Sequence, residues 1–348
     1  MKLLNILLAV FIFGILIFIH EFGHYITARI FGVTIKEFSI GMGPKMITYT
    51  SKKTNIKYSL GILPIGGYVS MVGEDEESDD ENALSKKPAW QRFIITVAGA
   101  SMNILAGALV MLVLISATPE SMYSTTVDRI ISVEEVPREN SSEFGGLMAG
   151  DRIIAVDGKR VHILAELDYE IMRRGIDTVP LTVERNGEKK TLEVDFPVYV
   201  DRGQYLGARD FYTEKESYGF SSVIKHSFYR SVLTVRMIWE SLFDLVTGRF
   251  GIEAVSGPVG VTTQISEAAS TGVANIIYLA IVISINLGVV NLLPFPALDG
   301  GRTVFILLEM IRRKPVPVKY EGMVHFIGIV ILMAFMLIIT LKDIITLF

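Results

Sequence analysis

The chain has 348 residues, no cysteine, a formal net charge of −4 and only 20% charged residues. The missing cysteines exclude disulfides, thiolate metal sites, iron–sulfur clusters and a thiol nucleophile, and so small a net charge gives no ground for a nucleic-acid partner. Half of the residues are hydrophobic and the mean hydropathy is +0.45, more apolar than a soluble protein of this size.

The apolar residues gather in four blocks, near 3–19, 93–117, 273–293 and 323–341. Each is close to the length that crosses about 30 Å of hydrocarbon. The expected fold class is a polytopic α-helical membrane protein with four transmembrane helices. The first block, after Lys2, could be a signal peptide. Its run exceeds the usual apolar core of one and no small-residue cleavage site follows, so it reads as a retained span.

Basic residues set the expected orientation. Nine lie between the first and second blocks: Arg29, Lys36, Lys45, Lys52, Lys53, Lys57, Lys86, Lys87 and Arg92. Five lie between the third and fourth: Arg302, Arg312, Arg313, Lys314 and Lys319. The tails hold only Lys2 and Lys342. This asymmetry places both loops in the cytosol, and both termini and the 118–272 segment outside.

After the first block, residues 46–72 read as a β-hairpin around a polar turn, Ser51 to Asn55. The second half, "LGILPIGGYV", is too apolar for an exposed loop and too short to span, so it should sit where protein or a water-filled cavity covers it. Residues 73–92 form an acidic and then basic solvated linker. Residues 125–197 alternate short β-type runs with one helical run bearing Ile163, Leu164, Leu167 and Ile171, a small α+β module. Residues 219–248 read as an amphipathic helix with Lys225, Arg230 and Arg236, lying at the membrane interface or against the module.

The chemistry begins at His20-Glu21-Phe22-Gly23-His24. In H-E-x-x-H on a helix, two imidazoles four residues apart reach one metal, with the glutamate beside a metal-activated water. His20 lies about 25 Å along the first span if that helix starts near Leu3. Ionisable groups at such depth are costly unless paired or coordinated, which marks them as functional candidates. A catalytic zinc needs a third protein ligand. His162 and His226 fall in the outer segment, and His325 opens the fourth block. Asp299 in "NLLPFPALDGGR" is the better candidate. The third span runs in the same direction as the first, Pro294 and Pro296 break its end, and Gly300 with Gly301 permit a tight turn. Asn291 is then expected at about the depth of His20, and Asp299 on non-helical backbone at the cytosolic edge. The competing role is a helix N-cap, and the shared leaflet favours the metal.

These features resemble the site-2-protease family of intramembrane zinc metalloproteases, in its bacterial RseP-like branch. The resemblance rests on "HEFGH", "GILPIGGYV", "GASMN" and "NLLPFPALDGG" in order along the chain. "GGLMAGDRIIAVDGKRV" is similar to the PDZ domain of those proteases. The resemblance implies Zn2+ held by His20, His24 and Asp299, with Glu21 activating water and Asn291 positioning substrate or stabilising the transition state. It also implies a membrane-re-entrant β-loop that receives substrate as an added strand, through Gly61, Ile62, Leu63, Pro64, Ile65, Gly66, Gly67 and Tyr68, with Pro296 beside it. Gly99 and Asn103 read as structural, closing the second span onto its neighbours. Relatives with two tandem PDZ modules differ, since only one is visible here.

The expected organisation is therefore 1–117 (two spans, H-E-x-x-H and a cytosolic-side re-entrant β-hairpin), 125–197 (an inserted extracytoplasmic PDZ domain), 198–272 (amphipathic helix and connection) and 273–348 (two spans with the L-D-G motif). The expected activity is an intramembrane zinc endopeptidase of the bacterial plasma membrane, cutting single-span membrane proteins such as trimmed anti-sigma factors or remnant signal peptides, with a possible peptide ligand at the PDZ domain. Two rivals are a catalytically silent PDZ membrane adaptor, which has no need of Glu21 with three ligands, and a transporter, which would place paired charges in several spans.

Overall fold

The computed structural model describes residues 3–74, 76, 78–131, 141–201, 204–249, 251 and 255–346. Four helices among them are long and apolar enough to cross a membrane: α1 (Leu3–Ile30), α2 (Ala89–Ala117), α6 (Val273–Asn291) and α8 (Val318–Thr346). All four expected blocks are present. The first is longer than its apolar run suggests, because α1 continues for ten residues beyond His20. The H-E-x-x-H residues therefore sit inside a helix. Thr27 supports this stretch by donating to the carbonyls of Gly23 and His24.

The chain divides into two compact units, Met1–Val110 with Val235–Phe348, and Met111–Thr234. In the first unit, small residues let the helices approach closely. A Cβ on Gly23 would lie 2.5 Å from the Ala98 carbonyl oxygen, and one on Gly288 would lie 2.6 Å from that of Ala100. Apolar side chains give little net drive between helices in lipid, so such close backbone contact is what holds spans together. Ser284 adds a hydrogen bond to the Asn103 carbonyl, 2.8 Å.

After α1 comes a bent antiparallel pair, β1 (Ile35–Thr50) and β2 (Lys57–Met71). It begins eleven residues before the expected start at Met46, because Ile35 and Phe38 are buried with Val69 and Met71 in a cluster that also holds Ala28 and Ile95. Positive φ at Gly41, Gly43 and Gly66 bends both strands. Residues 35–40 consequently pair with 67–71 on one side and 57–60 on the other, while 45–50 pair with 57–61. Segment 67–71 is left as an edge. The expected 73–92 linker follows but is shorter, because α2 already begins at Ala89; residues 75 and 77 lie outside the described residues.

The second unit holds an α+β module, as expected. Its sheet runs β10 (Phe211–Lys215), β3 (Tyr123–Ile130), β4 (Arg152–Val156), β6 (Val179–Arg185), β7 (Glu188–Val194), with β5 (Lys159–Arg160) paired to β4. Helix α3 (Leu164–Arg174) buries Leu167 and Ile171 in a core with Ile153, Leu181 and Phe196. The module does not stop at residue 197: β8 (Val198–Asp201) and β9 (Gln204–Gly207) form a hairpin, and β10 returns to pair with β3. Part of the expected "TTVDRIISV" strand, residues 132–133, lies outside the described residues. The expected amphipathic helix is α4 (Phe220–Val246). Helix α5 (Pro258–Thr271) precedes α6, and α7 (Asp299–Arg312) follows it.

Candidate metal centre

Helix α1 brings His20 and His24 to one face, as a four-residue spacing must. Their Nε2 atoms are 3.3 Å apart. From the start of α7, Asp299 places Oδ2 3.1 Å from His20 Nε2 and 3.3 Å from His24 Nε2. Among the described residues these three form the one group of metal-ligating side chains. Asp299 was expected on non-helical backbone, and it is instead the first residue of α7; Leu298 is the N-cap and makes no side-chain capping bond. Gly300 and Gly301 allow this early start, since a Cβ on either would run into the carbonyls of Leu292, Leu293 or Phe295.

The three donors fit a metal ion. His24 Nδ1 donates to the Ile95 carbonyl oxygen, 2.8 Å, so in the neutral ring Nε2 is a bare lone pair. That lone pair faces a buried carboxylate oxygen which has no hydrogen-bond partner of its own. A cation between the two resolves the conflict. Ligands about 2.0 Å from a tetrahedral zinc stand roughly 3.3 Å from one another, which is the separation seen.

Two residues that read as structural lie against the donors. Asn103 is fully buried with its side-chain amide nitrogen 3.3 Å from His20 Nδ1. Gly99 lies under the other imidazole, where a Cβ would overlap His24 Nε2. Only the small-residue and amide pattern of "GASMN" hinted at either.

A cavity of about 280 Å³ opens on the donors, and Glu21, Gly67, Tyr68, Arg302 and His325 also line it. Gly67 sits on the 67–71 edge, where a Cβ would come within 2.9 Å of Glu21 Cγ. Glu74 ties this edge to α7: it accepts the Met71 N–H at 3.2 Å and pairs with Arg302. Among the side chains the structure describes, Asn291, Gly61, Ile62, Gly66 and Pro296 are not in the cavity lining. Asn291 ends α6 and donates to the Leu287 carbonyl, 2.9 Å. Gly61 pairs with Lys45, Ile62 is exposed, and Leu63, Pro64, Ile65 and Gly66 continue β2. Pro296 packs beneath Gly328 of α8. His162 stacks on Tyr229 and bonds Glu166, and His226 bonds Glu216, so neither joins the donor group.

Spanning helices around a helix-borne H-E-x-x-H and a carboxylate define a class, the metal-dependent peptidases of membranes. Comparison with known sequences narrows it. The sequence model of Peptidase family M50 matches residues 8–335, and the chain belongs to that family. It is 35% identical to a Fusobacterium nucleatum protein provisionally named a zinc metalloprotease, covering 99% of this chain and 100% of the relative. It is 30% identical to the zinc metalloprotease RasP of Geobacillus kaustophilus (98% and 97% covered) and 29% identical to the regulator of sigma-W protease RasP of Bacillus subtilis (97% and 98% covered). The protein is thus a zinc metalloprotease and a multi-pass membrane protein.

Proposed function

We propose that the protein is an intramembrane endopeptidase that cuts single-span membrane proteins at the His20–His24–Asp299 centre. The observation that carries the reading is the convergence of three ligand atoms, within 4.8 Å of one another, on a cavity that Glu21 also lines. His20 Nε2, His24 Nε2 and Asp299 Oδ2 would hold the zinc, which when bound supplies Lewis-acid polarisation and a water acidic enough to be activated near neutral pH. The Ile95 carbonyl fixes the His24 ring by accepting a hydrogen bond from Nδ1, and a half-turn of the Asn103 amide, whose nitrogen faces His20 Nδ1 and whose buried oxygen has no partner, would let that oxygen do the same for His20. Glu21 would take a proton from the attacking water at a carboxylate oxygen and deliver it to the leaving amine nitrogen.

A transmembrane helix hides its peptide bonds in internal hydrogen bonds, so it must unwind before attack. The unpaired side of segment 67–71 could hold the unwound stretch as an added strand; Gly67 and Tyr68 of the expected substrate-binding run line the cavity. Asn291 would have to release the Leu287 carbonyl to reach a substrate. The β3–β10 module carries the "GGLMAGDRIIAVDGKRV" run that resembles a PDZ domain, and we assign it as one, outside the membrane with both termini. By analogy with the sigma-W regulator relative, trimmed anti-sigma factors are the leading substrates, and remnant signal peptides are the second class.

The test is cleavage of a single-span substrate by purified protein beside Glu21→Gln. Zinc-dependent cleavage lost in the variant supports the reading, and equal cleavage by both overturns it.

A further inference from the structure

The loop from α6 to α7 delivers Asp299 through an unusual backbone. Ala297, two residues before the aspartate, has φ +79°, a left-handed conformation that residues with a Cβ seldom adopt. Something outside the loop must hold it there, and α8 supplies the contact. His325 Nδ1 accepts the Ala297 N–H at 3.1 Å. One turn further along α8, Gly328 lies so close to the loop that a Cβ would fall 2.6 Å from both the carbonyl carbon and oxygen of Pro296. From one face of α8, Gly328 presses on the loop and His325 bonds it. Because Nδ1 accepts, the neutral ring carries its proton on Nε2, and the residue lines the cavity that holds His20, Glu21 and Asp299.

We propose that His325 is a positioning residue for the metal centre: its Nδ1 lone pair locks Ala297 in the left-handed turn that delivers Asp299 to His20 and His24. This rests on the reading of those three residues as zinc ligands. A ring that merely filled space between α7 and α8 would need bulk at this position and no acceptor.

The acceptor can be moved without removing the side chain. Asparagine carries its amide oxygen near the place of Nδ1, and glutamine carries it near Nε2. Zinc affinity of the full-length protein in detergent is measured by competition with a chelator, for wild type, His325→Asn, His325→Gln and His325→Ala. Thermal unfolding of the zinc-free forms is followed in parallel. We expect His325→Asn to bind within about threefold of wild type, and the glutamine and alanine variants to lose about 10- to 100-fold, the range for loss of a residue that orients a ligand. Ala297→Gly, which tolerates φ +79° unaided, should leave wild type unchanged and recover at least part of the loss in the His325→Ala background. Wild-type affinity in His325→Gln overturns the proposal, as does His325→Asn no better than alanine or a failed rescue by glycine. Wild-type protein that binds no zinc would instead overturn the ligand assignment itself.

Discussion

Asp299 and Asp343 are two largely buried aspartates of the same unit, and they are satisfied in opposite ways. Asp343, near the end of α8, accepts the backbone N–H of Gly257 at 2.9 Å and of Gly260 at 2.8 Å, with Lys342 Nζ 3.4 Å away. It caps the first turn of α5 from a neighbouring helix, and these three partners are all donors suited to a carboxylate. The Oδ2 of Asp299 meets two imidazole nitrogens and has no hydrogen-bond partner. A buried charge satisfied by hydrogen-bond donors stabilises a fold. One that faces other lone pairs calls for a ligand.

The contrast predicts that the two aspartates fail differently. Asp299→Ala should bring zinc content from about one per chain to near zero and abolish cleavage, while the zinc-free protein melts no lower than zinc-free wild type, since the lost carboxylate stabilised nothing in that state. A large drop in zinc-free melting temperature would make Asp299 a structural residue like Asp343. Glu21→Gln is expected next in size, with kcat/KM down about 10²- to 10⁴-fold and zinc retained in elemental analysis. Removing zinc from wild type should lower its melting temperature, and re-addition should restore it in proportion to occupancy; Asp299→Ala should show neither response.

Asp343→Ala should cost about 2 kcal/mol by orphaning two backbone donors while zinc binding persists, and Asp343→Asn, still a good cap, should cost less. Denaturant unfolding in detergent reads both. Glu216 of the second unit offers a third, partly exposed case. Burial raises its pKa, but hydrogen bonds from Lys225 and His226 outweigh that and leave the carboxyl below its ordinary range. A depressed carboxylate stabilises the fold above its unfolded pKa, near 4.3, and the benefit fades as pH falls through the lower folded value. Glu216→Gln should therefore lose under about 1 kcal/mol at neutral pH and match wild type in strong acid. A difference that grows on acidification would reverse this assignment.

Much of this was legible in the sequence because it is local. Span hydropathy needs only composition, and the His20–His24 spacing needs only the helical repeat. The pairing of Asp299 with them, 275 residues downstream, was accessible only because the order of the spans brings both to one leaflet. What escaped was set by contacts between distant segments. The burial of Ile35 and Phe38 that starts the hairpin early depends on Val69 and Met71. The strand β10 is defined by its pairing with β3. Asn103 and His325 carry no spacing that ties them to a metal site; only packing places one against His20 and the other against Ala297.

The space beneath His24 has a consequence of another kind. Gly99 reserves room for the imidazole, and a Cβ there would lie 2.3 Å from Nε2, too close for the ring to stay where it is. A single added carbon could thus silence the site as a chelator does, by bulk alone, with every donor atom still encoded. Residue 99 is where shape, rather than charge, governs whether the metal can stay.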